Sequence, residues 1–197
     1  MSKKTLSAPS YAEPVIGFRS RKAAQLCAWF AMRAGGCIEK LKLIKLVYLT
    51  ERSHLETYED SMLLDELYSL PHGPICSSTL NGINGIIHKE IWDEYLARNG
   101  NLVVALKSVN RTDVDDLSDA DLEIADTIWL RFQRMSASQI RNYTHDNCPE
   151  YTDLTEGRMP IFYKDVLRAI GSENSELVDR DVISLRTAEM NITQSAQ

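Results

Sequence analysis

Two prolines within four residues, in the run "LYSLPHGPICSS" at 67–78, constrain this chain more than any other stretch. Each proline ring locks its own φ and restricts the residue before it, so no regular element runs unbroken through Pro71-His72-Gly73-Pro74. A stiff corner must form here, with little conformational entropy left to lose. Gly73 lets the backbone pass close to a neighbour. His72 then has two readings, the lip of an active site or a bystander at a joint between an extended segment and a helix. Proline suits the first position of a helix because no donor is needed there, so Pro74 is expected to start one in "PICSSTLNGINGIIHKE". Ile75, Leu80, Ile83 and Ile87 would give that helix its apolar face. Gly82 and Gly85 weaken it unless close packing needs them small.

Helical periodicity dominates the rest. Ser20 is placed as the N-cap of "SRKAAQLCAWFAMRAGG", and Gly35-Gly36 ends that helix. A longer helix follows in "CIEKLKLIKLVYLTERSHLETY", where Leu41, Ile44, Val47, Tyr48 and Leu55 share one arc. Lys42, Lys45 and Arg52 sit beside that arc. They read as a solvated basic border whose stems cover the core edge, or as a contact surface for an anionic patch on a partner. Ser61 to Leu70 reads as extended. Asn99-Gly100 between "WDEYLAR" and "NLVVALK" signals a hairpin with a type I′ turn. Ser118 with Asp121, and Ser136 with Gln139, have the spacing of capping boxes opening a long helix and a short one. "NCPEYTDLTEGRMP" reads as loop, "IFYKDVLRAIG" as a short helix, and residues 173–190 as a last helix.

These elements define an α+β class: a helix-rich single domain with a small antiparallel β-hairpin or sheet. Residues 1–19 are expected to be a flexible arm, 20–172 the folded domain, and 173–197 a C-terminal helix and tail. A charged content of 25% beside 44% hydrophobic residues is that of an ordinary globule rather than a disordered chain. No apolar run approaches the roughly 18 residues of a membrane span, and the N-terminus lacks the apolar core of a secretory signal. The cytoplasm is the expected compartment. Cys27, Cys37, Cys76 and Cys148 are scattered, and in that compartment they are expected to stay reduced.

Charge is unevenly spread within the net −6. Residues 1–52 carry ten Lys/Arg against three acids, whereas residues 53–197 carry twelve against twenty-five. The acidic excess argues against nucleic acid as the main ligand and favours a basic protein partner.

No cofactor or catalytic motif emerges. His72 with Cys76, and His145 with Cys148, give two pairs of zinc-competent groups, but neither spacing matches a compact zinc module. Cys76 after a helix-starting proline would have a lowered pKa, yet no base is visible to complete a nucleophilic site. There is no phosphate-binding loop, and "DVDDLSDADLEI" lacks the glycine and the final glutamate of a calcium loop.

The order of three short motifs adds what composition cannot. Lys42-Leu43-Ile44-Lys45-Leu46-Val47-Tyr48 fits a helix pattern K-L-x-K-L-x-Y, followed about 20–30 residues later by Gly73-Pro74-Ile75. The later run from Leu117-Ser118 through a long helix and a short one ends in Thr144-His145. Together these resemble the Panacea domain, found in many antitoxins of bacteria and phages, and the resemblance covers about residues 20–170. Family members often carry an aromatic before the Gly-Pro and a tryptophan after the Thr-His; here His72 and "NCPEY" stand there, with Tyr151 as the substitute. The resemblance implies a non-enzymatic protein without a cofactor that binds and neutralises a cognate toxin encoded by a neighbouring gene. Lys42, Lys45, Tyr48, Pro71, His72, Gly73, Pro74 and His145 are then the motif residues and the candidates for partner binding. Two other readings stand beside it: an adaptor delivering a client to a protease, and a metal or thiol enzyme centred on His72 and Cys76.

Overall fold

Residues Leu43 to Glu51 are buried without interruption, and that determines how the chain wraps. They belong to the second of the two long N-terminal helices, α1 (Ser20–Arg33) and α2 (Lys40–Tyr58), in a computed structural model that describes residues 17–106 and 109–195. A helix buried on every side must lie inside the protein. Accordingly, α2 meets α1, a short strand before it, and elements from the rest of the chain. The expected solvated border is therefore wrong at Lys45, which is fully buried. α1 contributes Ala23, Ala24, Ala28 and Ala31 to the core, small residues that let neighbouring backbones come close. Ser20 is not its N-cap; Arg19 holds that place, and the Ser20 hydroxyl meets the His88 ring. Of the expected arm, residues 1–16 lie outside the described residues. Phe18 is buried, and the Arg19 guanidinium donates to the Ser61 and Met62 carbonyls at 3.3 and 3.1 Å.

Two small three-stranded antiparallel sheets flank the helices, in keeping with the expected helix-rich α+β class. The first joins β1 (Cys37–Glu39) to the hairpin of β4 (Leu96–Asn99) and β5 (Leu102–Ala105), in the order β1-β5-β4. The second contains β2 (Leu67–Leu70), β3 (Gly73–Cys76) and β6 (Met159–Ile161), in the order β3-β2-β6. Pro74 is thus in a strand, opposite Ser69, and not at a helix start. The reason is that an edge strand, like a helix N-terminus, has places where no donor is needed, so proline alone cannot separate them. The helix begins at Ser77: α3 (Ser77–Ile83) has its first amides held by buried Asp65, with Ser78 N and Thr79 N at 2.7 and 2.8 Å. α4 (Lys89–Tyr95) follows, so the strand expected over 92–98 begins only at Leu96. Burial of Trp92 and Tyr95 holds that stretch helical.

The hairpin of β4 (Leu96–Asn99) and β5 (Leu102–Ala105) is where it was expected, one residue out of register. Its two-residue loop is Gly100-Asn101, and only Gly100 has a positive φ, +61°. That is the pattern of a type II′ turn, not type I′. α5 (Asp119–Phe132) and α6 (Ala137–Asn147) start with the two expected capping boxes, both reciprocally bonded. Buried Asp121 also accepts Lys22 Nζ at 2.8 Å and His54 Nε2 at 3.3 Å, tying α1 and α2 to α5. The expected loop before residue 161 ends in a strand, β6 (Met159–Ile161), because Ile161 pairs with Leu67. α7 (Tyr163–Ala169) therefore starts two residues late, and α8 (Ser175–Ser195) packs on it.

Gly82 is needed small. A Cβ there would lie 1.9 Å from Cε2 of the buried Trp92 indole. Gly82→Ala is expected to destabilise the fold by about 1–3 kcal/mol, read as a lower denaturant midpoint. An unchanged midpoint would contradict this packing.

Candidate functional site

The proline corner is a β-hairpin turn. Leu70 pairs with Gly73 across Pro71-His72, and Gly73 has φ +92°. A side chain at Gly73 would be obstructed as well as strained. Its Cβ would lie 2.8 Å from Lys45 Nζ, 3.0 Å from Thr144 Oγ1 and 3.0 Å from His145 Cδ2. Three separate motifs, on α2, the hairpin and α6, therefore meet at one backbone position. Lys45 Nζ donates to the Pro74 carbonyl at 2.8 Å. Burial pushes the Lys45 amine down to about 7; the Cys148 and Cys76 sulfurs oppose that shift, and Arg141 adds to it.

A second knot lies one turn along α2. The Tyr48 hydroxyl donates at 2.7 Å to Glu150 Oε1, and Arg52 Nε donates to the same oxygen at 2.9 Å. Burial, and then the Glu150 charge, raise the Tyr48 phenol well above its ordinary value. Next to Glu150, the Tyr151 ring packs on the His145 ring with centroids 4.5 Å apart, and its hydroxyl donates to the Leu70 carbonyl at 3.0 Å. Burial, and then Lys45, hold the His145 imidazole below its ordinary pKa.

Not every motif residue joins this knot. Lys42 is half-buried at the α5 side, where its Nζ donates to the Gln133 carbonyl at 2.7 Å and lies 5.5 Å from the centre of the Trp129 ring. His72 is exposed at the tip of the turn, and Pro71 is half-buried beside it. The Cys76 thiol is buried, and desolvation raises its pKa well above the ordinary value, the reverse of an activated nucleophile. Cys148 is pushed up to about 12, again by burial. Among the described residues, no group of three or more His, Cys, Asp or Glu is placed to hold a metal ion.

Beside the knot the surface opens. A cleft of about 620 Å³ runs between the start of α2 and the hairpin, with walls that include Leu41, Ile44, Leu70, Ile75 and Leu80. Glu39, Lys40 and His72 also line it. Thr144 and Glu150 are missed as site residues by sequence reasoning. Glu150 lies in an apparent loop, and nothing local marks it as buried under α2.

Motif side chains that bond to backbone carbonyls and to buried Glu150, beside an apolar cleft, belong to a helix-rich scaffold of the α+β class. Residues 43–150, more than half of the chain, match the antitoxin SocA-like, Panacea domain. The chain belongs to this antitoxin family. No curated protein and no solved structure matches it. Among the described residues, no helix is long and apolar enough to cross a membrane.

The Lys45 amine gives a pH test. Its folded value lies near 7 and the ordinary value is 10.5, so between these the unfolded chain binds more protons at this position. Its contribution to stability therefore rises with pH across that window. The unfolding free energy of wild type minus that of Lys45→Met is expected to increase between pH 7 and 8.5, by up to about 1.4 kcal/mol per unit. Taking this difference cancels the opposite trend of the buried thiols. A difference that stays flat would mean the amine is not depressed.

Proposed function

We propose that this protein is the antitoxin of a bacterial or phage toxin–antitoxin pair. It neutralises a cognate toxin, encoded by a neighbouring gene, through direct binding in the cytoplasm and without catalysis. The observation that carries this reading is membership of the antitoxin family over residues 43–150. The rigid construction of the motif region supports occlusion, in which a preformed surface covers the toxin. Holding Gly73 between Lys45, Thr144 and His145 leaves little ordering entropy to lose on association. The acidic excess of residues 53–197 favours encounter with a basic toxin, such as one acting on RNA, nucleotides or other phosphate compounds. Domain limits of 20–172 for the binding body, with 173–197 as a helix and tail, belong to the same proposal.

Expression of the neighbouring gene alone is expected to arrest growth. Co-expression with this chain should restore growth and yield a co-purifying complex containing intact toxin. Absence of both rescue and association would overturn the reading. Rescue accompanied by protease-dependent loss of the toxin would replace occlusion with delivery to a protease.

A further inference from the structure

The cleft beside the corner has a neighbour of about 480 Å³ on the far side of Lys40 and Asn84, lined by Leu96, Arg98, Gly100 and Leu106 among others. The Lys40–Asn84 hydrogen bond, 3.1 Å from Nζ to Oδ1, forms the divide between the two. Together they make a groove from the β4–β5 hairpin to the Pro71-His72 turn. Its cations have an unusual property. Lys40 ends on the Asn84 amide oxygen and Arg98 on the Asn84 backbone carbonyl, while the Lys45 amine, its pKa depressed by burial, donates to the Pro74 carbonyl beneath the larger cleft. All three acceptors are neutral. Among the described residues, neither Lys40 nor Arg98 belongs to an ion pair, whereas Asp93, the acid lining the smaller cleft, is paired with Lys89. Glu39 is the acid that lines the larger cleft. In a chain of net charge −6, this groove has cationic donors beside aliphatic walls.

We propose that this groove is where the partner protein docks, receiving an acidic side chain next to an aliphatic or aromatic one. The apolar side chain fills the larger cleft against Leu41, Ile44 and Leu80. The carboxylate bridges half-buried Lys40 and exposed Arg98 across the Asn84 divide. Charge-assisted bonds to a carboxylate are stronger than the present ones to neutral oxygens, so the exchange favours association. A nucleic-acid strand fits worse: its repeated phosphates would meet Glu39 and Asp93, and it has no aliphatic group for the larger cleft. The inference rests on the antitoxin reading, since it needs a protein partner. It also separates two electrostatic roles, with the broad acidic surface steering encounter and the local basic groove anchoring the complex.

The test is calorimetric titration of the purified neighbouring-gene toxin into wild type, Lys40→Glu/Arg98→Glu and Arg168→Glu/Arg180→Glu. The two double variants change net charge equally, so their comparison removes the long-range field. Lys40 opens α2, where glutamate is tolerated, and Arg98 is exposed, so the fold should survive. The groove variant is expected to bind about ten- to a hundredfold more weakly, and the control within about threefold of wild type. Amides at 70–73 and 98–101 should gain hydrogen-exchange protection in the wild-type complex. If wild type binds and the groove variant matches it, or if neither amide stretch is protected, the groove proposal is wrong and the antitoxin reading stands. Failure of wild type to bind would remove the antitoxin reading itself, and this proposal with it.

Discussion

The hydrogen bond from Lys45 to the Pro74 carbonyl ties the central helix to the hairpin, and most of the arrangement around the corner depends on it. A buried amine loses its hydration, and one neutral acceptor restores only part of that loss. The contact therefore specifies position more than it adds stability. The same holds six residues on, where α2 carries Glu51, also fully buried. Its carboxyl accepts from the Ser61 hydroxyl at 2.6 Å, the Tyr163 hydroxyl at 3.2 Å and the Leu63 amide at 3.1 Å. Burial raises its pKa against those bonds. Asp65 in turn caps α3 and offers its carbonyl to Tyr163 at 2.8 Å. α2 thus holds the irregular stretch from 61 to 66 on one side and the hairpin on the other, by polar bonds that have few equivalent alternatives.

Local chemistry made some of these elements legible. The capping boxes at Ser118 and Ser136 need only a hydroxyl and an acceptor three residues apart, and both formed. The hairpin at Gly100 was visible because a glycine between alternating apolar runs has few other uses. What failed depended on distant contacts. β1 and β6 have three residues each, too few to carry a periodicity, and exist because β5 and β2 offer them edges. Pro74 went to a strand because the Asp65 carboxyl, nine residues earlier, fixes the helix start at Ser77.

The site divides in the same way. Lys45 looked solvated because pattern reasoning assigns every lysine to water, and only α6 and β3 closing over α2 put it inside. Ordered motifs at Lys42–Tyr48, Gly73–Ile75 and Thr144-His145 announced that these segments matter together, and the structure gives the reason: two of the three converge on Gly73, where a methyl group has no room. Glu150 could not be foreseen. It is an acid in a polar loop, and its burial against Tyr48 and Arg52 is wholly tertiary.

The family match begins at Leu43 and ends at Glu150, yet the interior does not respect those limits. Leu26, Cys27 and Phe30 of α1 have no exposed surface, β1 completes the sheet that β5 centres, and Tyr163 holds both Glu51 and Asp65 from beyond the other end. A chain cut to the matched span would expose the core surface that α1 covers and leave the Glu51 carboxyl and the Asp65 backbone carbonyl short of a hydroxyl. Autonomy of folding therefore lies in a longer stretch than the one that defines kinship. The flanks of this protein have freedom to vary on their outer faces, while their inner faces are bound to the same core.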